Sequence, residues 1–231
     1  YNLVDLKNKD LKLYNKEKKS WYYKIRPIVR NSYLKNLNNF IKNPLFNKHI
    51  YQNIKEGKKY FNFELKQNFF KQKNFSNSYL KNRMMNELFY ESVPVILHED
   101  DLNSMQNSIE NRSPFLDKKL IRYLYSVDNN HFIKNGIAKN LLRESVKGFL
   151  PEKIRTNRKK IGFNLSFTSV EEFRNGKLKD YMMDNSSIDM LINKDNLFKL
   201  LKQKLLTNTQ SKILFSILNV QIFLENLKYE R

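Results

Sequence analysis

The chain has 231 residues, enough for one large or two small domains. Aromatics at 13% and apolar residues at 40% make it too rich in core formers to be disordered, and the absence of Cys excludes disulfides, thiolate metal sites and a cysteine nucleophile. The formal charge of +20 raises the question of an anionic partner, yet 33 Lys against 10 Arg, with 32 Asn and a single Ala, looks like the codon bias of an AT-rich genome, which inflates charge without binding selection.

In chain order, residues 1–78 read as a basic, aromatic-rich helical segment. Short apolar clusters (Trp21-Tyr22-Tyr23, Phe61-Asn62-Phe63, Phe69-Phe70) alternate there with Lys/Asn runs, and Arg26-Pro27 and Asn43-Pro44 predict short or broken helices. Residues 1–82 hold 19 basic and 5 acidic residues, or +14 of the total. A compositional step near Ser76–Leu80 sets a boundary, with 79–231 as a second helical region. Leu80, Met84, Leu88 and Glu91 follow one stripe of a helix that Pro94 should end or kink, and a second helix is expected from Asp100 to Ile109. Asp117 stands where an N-cap belongs, before Lys118-Lys119-Leu120-Ile121-Arg122-Tyr123-Leu124. A helix over 138–147 would turn Leu141, Leu142 and Val146 inward and stop at Gly148, and 151–166 reads as a loop. Ser169-Val170-Glu171-Glu172 has the form of a capping box opening a helix to Met183, followed by amphipathic helices over 195–206 and 209–228. No strand period runs beyond four residues, so the expected class is mainly α. Neither a membrane-spanning run nor a signal-peptide apolar stretch is present, so a cytoplasmic setting is expected.

Three clusters stand out from this helical background. Glu110 and Arg112 lie two apart in a turn stiffened by Pro114, between two helices, where acid–base groups are commonly held. Taken alone, they read first as a salt bridge at a helix junction. Lys139 and Arg143 lie four apart, able to meet an anion together or to serve as a surface helix face. Arg158-Lys159-Lys160 precedes Gly162, as suits a loop that offsets phosphate charge or a merely solvated basic loop. His49, His98 and His131 have no metal-ligand spacing, and no metal site is expected in this chain.

Together the clusters resemble one family. Asp101, Ser104-Met105, Ser108-Ile109-Glu110-Asn111-Arg112-Ser113-Pro114-Phe115-Leu116-Asp117, Lys139, Leu142-Arg143-Glu144, Leu150-Pro151 and Arg158-Lys159-Lys160-Ile161-Gly162-Phe163 are similar, in order and spacing, to the C-terminal half of the synthetase domain of glutamine-hydrolysing asparagine synthetases. The spelling His98-Glu99-Asp100-Asp101-Leu102-Asn103-Ser104-Met105 is closest to asparagine-synthetase-like proteins of bacterial surface-polysaccharide clusters, although Leu102 stands where the family often has Arg.

The resemblance implies a helical portion of an adenine-nucleotide α-hydrolase-like (PP-loop) domain with its parallel sheet largely missing. It implies an amide ligase that adenylates aspartate, or another carboxylate, with Mg-ATP and then amidates it with ammonia from glutamine. Glu110 would take the proton from the attacking amine and Lys160 would offset phosphate charge, with Arg112, Arg158 and Lys159 close to substrate or phosphate. Asp101, Asp117, Lys139 and Arg143 would be scaffold. The family's Ser-Gly-Gly-x-Asp-Ser pyrophosphate loop and Gly-Asp-Gly-x-Asp-Glu magnesium loop are not in this sequence, nor is a glutaminase Cys. The expectation is therefore a separated or truncated portion that needs the glutaminase and pyrophosphate-loop portion, in cis or in trans, and does not bind ATP tightly alone. A non-catalytic helical remnant is an alternative reading. A nucleic-acid binder resting on the basic first segment is the less favoured one.

Overall fold

A computed structural model describes residues 1–29, 35–45, 54–66, 70–158, 167–184 and 188–229. The chain forms two compact units that interleave along the sequence: Tyr1–His49 with Phe70–Lys159, and Ile50–Phe69 with Lys160–Arg231. Both are helical, as the composition predicts. No helix among the described residues is long and apolar enough to cross a membrane.

In the first unit, helix α1 (Asn2–Lys9) buries Asn2, Val4, Asp5 and Leu6. Asp10 ends it and caps α2 (Leu11–Lys24), accepting from Leu13 N at 2.9 Å. The prolines act as predicted: α2 gives way to a 3-10 turn at Arg26–Ile28, and α3 (Leu37–Lys42) stops before Pro44. The short α4 (Ile54–Gly57) belongs to the second unit. Ser78 then caps α5 (Tyr79–Phe89), whose buried face is polar, formed by Asn82, Arg83 and Asn86. This differs from the expected Leu80–Met84–Leu88 stripe, in which Met84 is exposed. Asn86 donates to and accepts from the backbone of Lys73, and Asn82 accepts from Phe75 N, so these amides hold an extended segment against the helix.

Pro94 neither ends nor kinks a helix. It sits in the first turn of α6 (Ser92–Met105), where a missing N–H costs nothing because that donor has no partner in the helix. The second helix therefore starts eight residues before the expected Asp100. Asp117 caps α7 (Lys118–Ser126) as predicted, accepting from Leu120 N at 2.9 Å.

A β-hairpin was not foreseen. Strands β1 (Ile133–Lys134) and β2 (Ile137–Ala138) pair antiparallel in the register Ile133↔Ala138 and Lys134↔Ile137. Asn135 and Gly136 both have positive φ, 51° and 74°, the two-residue turn that Asn-Gly favours. The buried Glu17 carboxylate of α2 accepts both turn N–H groups, at 2.8 and 2.9 Å. Because Ala138 is in the hairpin and Lys139 is left-handed (φ 58°), the next helix, α8 (Asn140–Ser145), is shorter than the expected 138–147. Gly148 takes a left-handed φ of 85° beyond it, and a one-turn helix α9 (Glu152–Arg155) interrupts the expected loop.

In the second unit the expected capping box does not open its helix. Val170 is the cap of α10 (Glu171–Arg174), and the chain breaks at Gly176 (φ 90°) before α11 (Lys177–Asp184). Helix α13 (Asn208–Tyr229) follows its predicted span closely, whereas α12 (Lys194–Leu201) starts as predicted and ends five residues before the expected 206. Their apolar stripes meet in one core: Leu197, Leu200 and Leu201 of α12, Ile213, Leu214 and Ile217 of α13, with Phe167, Phe173, Met182, Ile188 and Ile192.

Candidate functional site

The motif between α6 and α7 is built on a reversal. Ser108 adopts a left-handed φ of 57°, and Ile109 N bonds back to Ser104 O at 3.0 Å. Residues 109–113 then carry no helical structure until the turn at Pro114–Leu116 delivers Asp117 to its cap. Side chains alternate along this stretch. Asn111 and Ser113 line a cleft of about 440 Å³ with Leu97, His98, Asp100, Asp101 and Leu116, whereas Glu110 and Arg112 lie outside that lining. Arg112 Nε donates to Glu110 Oε1 at 2.9 Å, with side chains 81% and 69% exposed. The structure therefore brings the predicted acid and its predicted orienting cation together, in water. Screened by solvent, such a pair contributes at most about 1 kcal/mol to stability.

The second group lies on α8 and α9. Lys139 and Arg143 do not share a helix face: Lys139 is the left-handed residue before α8, and Arg143 directs its guanidinium to backbone carbonyls. It donates to Ala138 O at 3.2 Å, to Asn157 O at 3.0 Å, and to Arg155 O. Arg155, which sequence reasoning passed over, forks onto Glu152 with two bonds of 2.9 Å and reaches Glu144 at 3.2 Å. The bond to Arg155 holds the Glu152 carboxyl below the usual range. Glu three residues before Arg, directly after Pro151, was the available signal for this pair. Arg158 is exposed just beyond. Lys159 and Lys160, with Ile161, Gly162 and Phe163 and also His49, lie outside the described residues.

Among the described residues no group of three or more His, Asp or Glu is placed to hold a metal ion.

A family model described as asparagine synthase matches residues 8–225. "Asparagine synthetase [glutamine-hydrolyzing] 1" of Bacillus subtilis (strain 168) is 33% identical over 110 residues, covering 46% of this chain and 17% of the relative. The chain thus matches less than a fifth of that relative's length. No solved structure matches. With the motif in order from Asp101 to Arg158 and a helical architecture around it, the match over nearly the whole chain establishes that this protein belongs to the asparagine synthase family.

Proposed function

We propose that the chain supplies the helical, acid–base-bearing portion of an asparagine synthetase-type amide ligase, acting on aspartate or another small carboxylate. Glu110 takes the proton released when ammonia attacks the activated carboxyl. Arg112 orients that carboxylate or the substrate's own. Arg158, Lys159 and Lys160 offset the charge of the anionic reactant. Asp101, Asp117, Lys139 and Arg143 hold the loops that carry them. In this reading the nucleotide and its Mg²⁺ are held by a PP-loop sheet portion carrying the pyrophosphate loop, ammonia comes from a glutaminase portion, and both act in the same polypeptide or in trans.

The observation that carries this reading is the family match across residues 8–225, a span that contains Glu110-Asn111-Arg112-Ser113-Pro114-Phe115-Leu116-Asp117. The surface supports the partnership. Across residues 92–158 no described residue is fully buried, while Ile96, Leu102, Met105, Ile109, Phe115, Ile154 and Phe149, the last at 86%, stand exposed. So much uncovered apolar side chain in a helical layer fits one that packs on further protein.

The test combines the chain with the pyrophosphate-loop portion and measures ammonia-dependent amide formation. Glu110→Gln and Lys160→Ala should each lower the rate by about 10²–10³. Equal rates for both variants and the wild type would remove these residues from the mechanism.

A further inference from the structure

Helices α8 and α9 exchange arginines. Arg143 Nη1 donates to the carbonyl of Arg155, and Arg155 Nη1 returns a bond of 3.3 Å to the carbonyl of Arg143. Each guanidinium thus binds the other residue's backbone, so the two helices are tied by reciprocal bonds. What neutralises the two cations differs. Arg155, with a side chain only 14% exposed, has carboxylates on two sides, Glu152 through the fork and Glu144 at 3.2 Å. Arg143 has no carboxylate within ion-pair distance among the described residues. Its charge rests on the carbonyls of Ala138, Arg155 and Asn157, the latter two at the C-terminal end of α9, where unpaired carbonyl oxygens favour a cation.

The arrangement is directional. Glu152 and Glu144 orient Arg155, Arg155 holds the backbone that carries Arg143, and Arg143 pins the carbonyl of Asn157, the residue immediately before Arg158. We propose that Arg155 is a positioning residue of the ligase site, acting through Arg143 to fix the backbone from which Arg158 projects. The proposal rests on the ligase reading above, in which Arg158 meets the anionic reactant. The planar fork is essential to it. A Lys at 155 keeps the charge, but its point-like ammonium cannot bind Glu152 through two parallel bonds while also reaching Glu144 and the Arg143 carbonyl.

The experiment pairs ¹⁵N-detected hydrogen exchange on the full chain with amide-forming rates in the combined ligase, for wild type, Arg155→Lys and Glu152→Gln. In Arg155→Lys, exchange at the Arg143 Nε–H and at the Thr156 and Asn157 amides should rise at least tenfold, while the Ile121 and Leu124 amides of α7 stay as in wild type. The rate constant kcat should fall at least tenfold with KM for the carboxylate substrate unchanged. Glu152→Gln, which leaves both arginines in place, should move the same signals in the same direction and serves if Arg155→Lys fails to fold. Unchanged exchange in the folded variants overturns the clamp whatever the rate. Faster exchange with an unaltered kcat overturns the positioning role and leaves the ligase reading standing, since that reading falls only if Glu110→Gln and Lys160→Ala retain the wild-type rate.

Discussion

Tyr181 shows how burial and one contact together set a titration. Its phenol donates to Glu225 across α11 and α13, and partial removal from water followed by that carboxylate's bond pushes it from the ordinary 10.0 up to about 12. The folded-state value lies above the unfolded one, so the contribution to stability is complete below pH 10 and is lost as pH rises from about 10 to about 12. A ¹³C titration of labelled tyrosine should find Tyr181 ionising near pH 12 and Glu225→Gln bringing it back toward 10; a wild-type midpoint at 10 would contradict the contact. Buried charge is handled differently in α5. Arg83, with a side chain 7% exposed, would have its pKa lowered by burial, but bonds to Glu91 and the nearby Glu87 reverse that and leave it raised. Glu91 was placed on the helical stripe by spacing alone. Its pairing with Arg83, eight residues away, needed the break between α5 and α6 that folds one residue back onto the other.

Element ends carry much of the specificity in the first unit. The start of α5 is held by Ser78 and also by Asp5 of α1, whose carboxylate accepts from Ser78 Oγ at 2.8 Å, Tyr79 N at 2.7 Å, Leu80 N at 3.0 Å and Asn129 Nδ2 at 3.0 Å. An anion at a helix N-terminus is favourable, and four donors on one buried group leave little slack. Asp5→Ala should lower stability by about 3 kcal/mol in urea denaturation, with Asp5→Asn recovering part of it. A loss under about 1 kcal/mol would mean that water replaces the carboxylate. Asp117 is the contrasting case, a cap readable from sequence because donor and acceptor are three residues apart. The hairpin at Asn135-Gly136 announces itself through its turn dipeptide, yet its strands are too short for any alternation to register.

At the scale of the whole molecule, the second unit owns the drier core. Leu214 is fully buried beside Ile213 and Ile217, so Leu214→Ala should cost about 2–5 kcal/mol, read as a lowered urea midpoint; an unchanged midpoint would place α13 at the surface. The first unit is instead built on polar ties and half-covered apolar side chains. From sequence alone came the helical class, the start of α12, the span of α13, the cap at Asp117 and the family motif, because each rests on residues close along the chain, where periodicity and capping act. Only the tertiary structure placed Glu17 under a turn 118 residues away, set Asp5 at the head of α5 and closed Arg143 and Arg155 on each other. Those ties depend on where a buried donor finds its acceptor, and no local pattern encodes a distance across the fold.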